Sequence, residues 1–363
     1  MEKFRTAVIG CGGIANGKHL PSISTLKNVE LVAFCDLIVE RAEKAAKEYG
    51  VEGAKVYTDY KELLAEVKPD VVHVCTPNRA HCQITCDALE AGCHVLCEKP
   101  MAICGADAKK MLDTAKKTGK KLSIGYQSRY RADSQYLKAE CEKGALGEIY
   151  YAKAHAVRRR AVPTWGVFLN EYEQGGGPLI DIGTHALDLT LWMMDNYRPK
   201  YCVGTKYRKL ADQKGNTGNI WGDWDPEKFT VEDSCFGFIV MENGATINLE
   251  ASWALNTLDV IEASTSLSGT KAGADMRAGL RINGVENGRQ YVLKPDFSAG
   301  GVAFVEGDAG QKCEVIEAWQ FYNAIATDTD PCVLPEQAYI VSLILEGIYK
   351  SAETGKPYYF ELD

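Results

Sequence analysis

The stretch Thr6-Ala7-Val8-Ile9-Gly10-Cys11-Gly12-Gly13-Ile14-Ala15 decides the fold. Its first four residues are a short, mostly β-branched run of strand type that ends at glycine. Gly10, Gly12 and Ala15 then fit G-x-G-x-x-[GA]. The first glycine permits a tight turn and the second lets backbone approach a pyrophosphate. The small third position allows close helix–strand packing, and the helix start at Gly13 and Ile14 offers free N–H groups to phosphate. Asp36 lies 21 residues beyond Ala15, at the end of the next strand-like run, Val29–Asp36, where a carboxylate binds ribose hydroxyls. Its charge would repel the extra phosphate of NADP, and Leu37-Ile38 supplies no Arg or Ser, so NAD is the expected nucleotide.

Working outward, helices are predicted over Val39–Tyr49, Tyr60–Val67, Ala80–Ala91 and Gly105–Lys117, and strands over Asp70–Thr76, His94–Cys97 and Lys121–Tyr126. Strands alternating with helices imply a doubly wound parallel sheet. Beyond residue 127 strand-like runs follow one another: Glu148–Val157, Ser234–Val240, Ala245–Trp253, Val260–Leu267 and Gln290–Leu293. The hairpin signal Glu242-Asn243-Gly244 separates two of them. Helices are expected at Pro178–Met194, Cys313–Thr327 and Pro335–Glu353. The fold class is therefore α/β, with a dinucleotide-binding Rossmann domain over 1–126. An α+β domain with a large, mostly antiparallel open sheet follows over 127–363.

The 363 residues exceed the roughly 250–300 at which one core stops growing, in keeping with two domains. A composition of 46% hydrophobic and 25% charged residues excludes disordered, collagen-like and disulfide-scaffold chains. No apolar run approaches the roughly 18–20 residues of a transmembrane helix. The opening MEKFRTAVIG has no export-signal pattern, so a cytoplasmic location without a membrane partner is expected. A net charge of −8 argues against general nucleic-acid affinity. The thirteen cysteines read as reduced small hydrophobes. Among them Cys82, Cys86, Cys93 and Cys97 lack the paired C-x2-C knuckles of common zinc modules, so no metal is expected.

Ligands of open parallel sheets bind beyond the carboxyl ends of the strands. Two groups fall there: Thr76-Pro77-Asn78-Arg79 with His81, and Cys97-Glu98-Lys99-Pro100. On the apolar helix Pro178–Met194, Asp181, His185 and Asp188 at i, i+4 and i+7 make one polar stripe. Buried acids and imidazoles persist when paired or used, and an Asp beside a His orients its ring.

With Gly10–Ala15, Asp36, Thr76-Pro77-Asn78, Glu98-Lys99-Pro100 and Gly175-Gly176-Gly177…Asp181-x-Gly183-x-His185 in this order, the chain resembles the Gfo/Idh/MocA oxidoreductase family over nearly its whole length. The resemblance implies a nicotinamide-dependent dehydrogenase acting on sugars, polyols or glycosides, with C3 of a glucoside as the specific expectation. Lys99, Asp181 and His185 match the family's catalytic set, Glu98 a position at the nicotinamide ribose, and Pro100 a proline that is often cis. Removing a hydroxyl proton as hydride leaves its carbon needs a base within hydrogen-bond reach. His185 is the candidate base, oriented by Asp181, and Lys99 would stabilise the same oxygen. Which of Lys99 and His185 formally takes the proton stays open.

The loop Arg158–Tyr172 reads either as a solvated basic run or as a lid or subunit-crossing arm, with Arg158 donating to hydroxyls or to a neighbouring subunit's acids and Trp165 stacking on a sugar ring or aglycone. Tyr126, Gln127 and Arg129 are further substrate-side candidates, and Trp221 and Trp224 could add aromatic surface. Two other functions fit the same motifs: redox-neutral, NAD-dependent glycoside cleavage, and a non-catalytic NAD-binding regulator. By analogy with the family, a homo-oligomer, dimer or larger, is expected.

Overall fold

The computed structural model describes residues 3–297 and 312–362. By contacts the chain forms two compact units, Met1–Tyr130 with Gly301–Tyr339 and Arg131–Gly300 with Ile340–Asp363. The first unit thus takes in the helix Cys313–Thr327, which the division at residue 126 assigns to the second domain.

The first unit holds strands β1 (Phe4–Ile9), β2 (Val29–Cys35), β3 (Lys55–Tyr57), β4 (Val71–Val74), β5 (His94–Cys97) and β6 (Leu122–Ile124). They form one sheet in the order β3-β2-β1-β4-β5-β6, with every pair parallel. That order reverses between β1 and β4, which places a ligand crevice at their carboxyl ends. The helices are α1 (Leu20–Ile23), α2 (Val39–Tyr49), α3 (Tyr60–Val67), α4 (His81–Glu90) and α5 (Gly105–Thr118). Local chemistry sets their limits: the Asp59 side chain accepts the Lys61 amide at α3's start, and Gly119, at φ +66°, ends α5. The core joins Val8, Leu20, Leu31, Phe34, Val71 and Leu96 to Phe321 and Tyr322 of the late helix.

The second unit begins with α6 (Ala132–Glu142), β7 (Ile149–Val157), α7 (Glu171–Gln174) and α8 (Thr184–Met194). It continues with β8 (Pro199–Tyr207), β9 (Ser234–Met241), β10 (Thr246–Ser252), β11 (Ile261–Gly269), β12 (Ala272–Asp275), β13 (Arg281–Glu286) and β14 (Arg289–Leu293). Helix α9 (Cys313–Thr327) belongs to the first unit, α10 (Pro335–Thr354) begins in the first and continues in the second, and β15 (Tyr358–Tyr359) is the last strand. The nine-stranded sheet runs β14-β13-β12-β11-β7-β10-β9-β8-β15 and is antiparallel except at β7–β10.

Several elements differ from the sequence reading. Helix α6 was not expected, because ADSQYLKAECE buries only Ser134 and Leu137 and shows no apolar stripe. Strand β8 opens on Pro199 and mixes Lys and Gly into its alternation, while β12 and β13 carry small or polar residues. The expected helix Pro178–Met194 starts as a π-helical turn, Leu179–Gly183, before α8. No helix among the described residues is long and apolar enough to cross a membrane. None of the thirteen cysteines forms a disulfide, and nine of them are buried.

Candidate active site

At the end of β1, Gly10 has φ +91°, and a Cβ there would sit 2.6 Å from the Cys75 carbonyl, so only glycine lets the ends of β1 and β4 meet. Gly12 and Gly13 differ: a Cβ on either would meet nothing within 4 Å, which leaves this backbone open to a ligand. The segment beyond them, with Ile14 half exposed, enters a π-helical turn, Ala15–His19. Asp36 Oδ2 accepts the Cys11 amide at 2.8 Å and Oδ1 accepts the Ile38 amide at 2.9 Å, so the acid ending β2 also fixes the glycine loop. Beyond β4 the Thr76 hydroxyl is buried with no hydrogen-bond partner among the described residues. Open glycine backbone, a fixed carboxylate with spare lone pairs and an orphaned hydroxyl together fit a dinucleotide.

The turns Thr76–Asn78 and Glu98–Pro100 are pinned to each other by His81. Its ring is fully buried, with Nδ1 2.8 Å from Pro100 O and Nε2 2.9 Å from Thr76 O. Burial lowers its pKa, and the neutral ring donates to one of these carbonyls at a time. His81 therefore holds both turns from within the protein. Pro77 and Asn78 lie on the first turn, and on the second the Lys99–Pro100 bond is cis and the Lys99 amide donates to Glu98 Oε2 at 3.1 Å.

Glu98 leads to residues that the sequence reading passed over. Its Oε1 accepts from Lys18 Nζ at 2.7 Å and from His19 Nε2 at 2.8 Å. Lys18 also pairs with Glu317 of α9 at 2.8 Å, and His19 Nδ1 lies 2.8 Å from His73 Nδ1. The other nitrogen of His73 is 3.0 Å from the Tyr322 hydroxyl. Burial opposes a charge on Glu98, yet Lys18 and the bond from His19 hold its carboxyl well below the usual range. The available signal was His73 itself, an imidazole in the middle of an apolar strand.

In the second unit, Glu232 builds the start of the polar helix. Its buried carboxylate accepts the amides of Gly177 at 2.9 Å and Leu179 at 3.2 Å, and the Tyr349 hydroxyl at 2.8 Å. A Cβ on Gly176 would strike the Tyr349 hydroxyl, and one on Gly177 would strike the Glu232 carbonyl, so both glycines are required by packing. One turn on, Asp181 Oδ2 accepts the indole N–H of Trp253 at 3.0 Å. Asp181 and His185 keep 9% and 8% of their surface, and Asp188 none. A stripe with that small opening can contact a ligand at Asp181 and His185 but not at Asp188.

The substrate-side candidates separate. Tyr126 and Arg129 are fully buried, and the Arg129 guanidinium donates to Cys332 O at 3.0 Å and Gln337 Oε1 at 2.6 Å. Arg158 makes a bidentate pair with Glu262 and lies 5.4 Å over the Trp221 ring. Trp165 is half exposed and meets Trp221 edge to face at 4.8 Å and Phe168 at 5.9 Å. Phe168 in turn reaches Trp253, so aromatic contacts run from Trp165 toward Asp181. Arg158, Trp221 and Glu262 also line a depression of about 400 Å³. Trp224 is buried and donates to Ala211 O, a packing role.

Residues 4–126 match the family described as "Oxidoreductase family, NAD-binding Rossmann fold", and residues 134–275 match "GFO/IDH/MocA C-terminal domain". The chain is similar to the D-glucoside 3-dehydrogenase of Escherichia coli (strain K12). The two are 40% identical over 352 residues, 97% of this chain and 96% of the relative. Two solved structures share the fold. The aldose-aldose oxidoreductase from Caulobacter crescentus, complexed with glycerol, has a TM-score of 0.79 at 24% identity, over 99% of this chain and 100% of that one. The WlbA dehydrogenase from Bordetella pertussis, in complex with NADH and UDP-GlcNAcA, has a TM-score of 0.77 at 21% identity, over 100% of both chains.

Proposed function

The chain belongs to the Gfo/Idh/MocA oxidoreductase family, and from that premise we propose that it oxidises a secondary hydroxyl of a glycoside, with C3 of a D-glucoside as the reacting carbon. It is an NAD-dependent oxidoreductase acting on CH–OH groups of sugar, polyol or glycoside type. The 40% identity to a D-glucoside 3-dehydrogenase along nearly both chains supports the choice of substrate. The observation that carries the chemistry is Asp181, held by Trp253 one helical turn before the nearly buried His185.

Gly10, Gly12, Gly13 and Ile14 would take the pyrophosphate, Asp36 a ribose, and the turns Thr76–Asn78 and Glu98–Lys99 the nicotinamide half. NAD supplies the hydride acceptor when bound. His185 is the base for the hydroxyl proton, and Asp181 orients its ring and stabilises the imidazolium. Lys99 places a positive charge on the oxygen that becomes negative, an effect strongest where water is excluded. The exposed ring of Trp165 provides a stacking face for the sugar or aglycone, with Arg158 as a donor beside it.

Within this reading the nucleotide domain is 1–126, to which α9 is added by its packing, and the rest of 127–363 is the substrate and assembly domain. Val203 and Phe238, directly paired on β8 and β9, are about two-fifths exposed and support a homo-oligomer joined through the sheet. Thirteen cysteines, none in a disulfide, suit the reducing cytoplasm. A glucoside deuterated only at C3 tests the reading: NADH carrying deuterium supports it, and unlabelled NADH rejects C3.

A further inference from the structure

We propose that Glu317 is a positioning residue of the cofactor site: it competes with Glu98 for the Lys18 ammonium, so that its charge sets how firmly the turn that carries Lys99 is held and thereby governs NAD affinity. The inference rests on reading Glu98 as a cofactor-side residue.

Three segments far apart in sequence meet at one ammonium. Lys18 Nζ donates to Glu98 Oε1 at 2.7 Å, to a Glu317 carboxylate oxygen at 2.8 Å and to Gln127 Oε1 at 3.4 Å, which uses its three protons. Lys18 lies in the π-helical turn beyond the glycine loop, Glu98 at the end of β5 and Glu317 on α9. All three are nearly or fully buried. Packing around them is tight: a Cβ on Gly125 would come within 3.0 Å of Glu98 Oε1 and 3.1 Å of Lys18 Nζ. Burying ions is expensive, and removing one partner strands the others.

One positive charge serves two carboxylates, and Glu98, which also receives His19, keeps the ionised form. Glu317 Oε1 has no hydrogen-bond partner among the described residues. Burial pushes the Glu317 carboxyl up to about 7; Lys18 opposes this, and Glu98 and Glu314 add to it. The other titratable groups facing the cluster are Cys75, Cys97 and Cys313, whose thiols burial raises, and His19, His73 and His81, whose imidazoles burial lowers. For each of them burial favours the neutral form. When Glu317 is neutral, Lys18 belongs to Glu98 alone. When it ionises, it draws Lys18 toward itself and loosens the Glu98 turn.

The test is NAD affinity of the full chain by titration calorimetry between about pH 6 and about pH 8.5. The expected result is affinity about threefold or more weaker on the alkaline side, with a midpoint near 7. In Glu317→Gln that dependence is lost and the variant keeps its acid-side affinity. Glu314→Gln, which alters only a half-buried neighbour, lowers the midpoint and serves if Glu317→Gln does not fold. An unchanged profile in the folded Glu317→Gln, or an unmoved midpoint in Glu314→Gln, overturns the inference. Absence of NAD binding by the native chain, or full affinity in Glu98→Gln, overturns instead the cofactor reading beneath it.

Discussion

The Trp253 indole N–H donates to Asp181 Oδ2 over 3.0 Å, and Asp181 stands one helical turn before His185. The acid is thereby held by the residue that follows β10, and in the proposed mechanism it is this held carboxylate that orients the His185 imidazole. Trp253→Phe keeps most of the ring and removes the donor. A hydrogen bond to a charged group contributes about 1.5–3 kcal/mol, so turnover falls roughly 10- to 100-fold. NAD affinity measured by calorimetry stays unchanged.

His185→Ala and Lys99→Ala each lower kcat by orders of magnitude while NAD still binds, because proton transfer and charge stabilisation are lost and the glycine loop is untouched. Steady-state rates beside NAD titrations check this. Near-native turnover in either variant removes that residue from the mechanism.

Asp36 serves two purposes, holding the Cys11 amide and offering lone pairs to a ribose. Asp36→Ser removes the charge that repels a ribose phosphate. NAD affinity falls about tenfold or more, and the preference for NAD over NADP narrows, as competitive titrations of both nucleotides will show.

These assignments differ in how far they were legible beforehand. The parallel sheet, Gly10–Ala15, Asp36 and the Asp181–His185 spacing were readable because each rests on local sequence periodicity. Lys18, Glu98 and Glu317 were not readable as a cluster, since nothing local joins α9 to the first helical turn. Glu232 was hidden for the same reason: it caps a helix 55 residues earlier in the chain. The π-helical turn at Leu179–Gly183 escaped notice because its residues suit an α-helix equally well. Arg129, although a cation at a strand end, is committed to Cys332 and Gln337, which only tertiary packing could reveal.

Acid stability provides a further check on Glu98. Burial alone would raise its pKa, but Lys18 and His19 depress it well below the usual carboxylate value. A depressed folded-state pKa contributes stability above the unfolded pKa, and that contribution is lost as pH falls through the folded value. Breaking such a buried pair costs about 3–5 kcal/mol. Glu98→Gln therefore melts well below the native chain near pH 7, and the gap narrows as the pH is taken below about 4. Thermal unfolding followed by circular dichroism across that range reads the difference.

Trp165→Ala removes an exposed stacking face without touching the polar helix. KM for an aryl glucoside rises about tenfold with kcat and NAD affinity little changed, as initial rates at varied glycoside will show.

The central claim is that this chain passes hydride from a carbohydrate hydroxyl to NAD. Anaerobic mixing of the purified protein with NAD and a panel of glucosides, free sugars and inositols tests it most directly, with nicotinamide absorbance followed alongside chromatography of the products. The account predicts NADH formed in step with an oxidised sugar, strongest with a D-glucoside. Aglycone released without net NADH, or NAD bound with no turnover on any member of the panel, would contradict it.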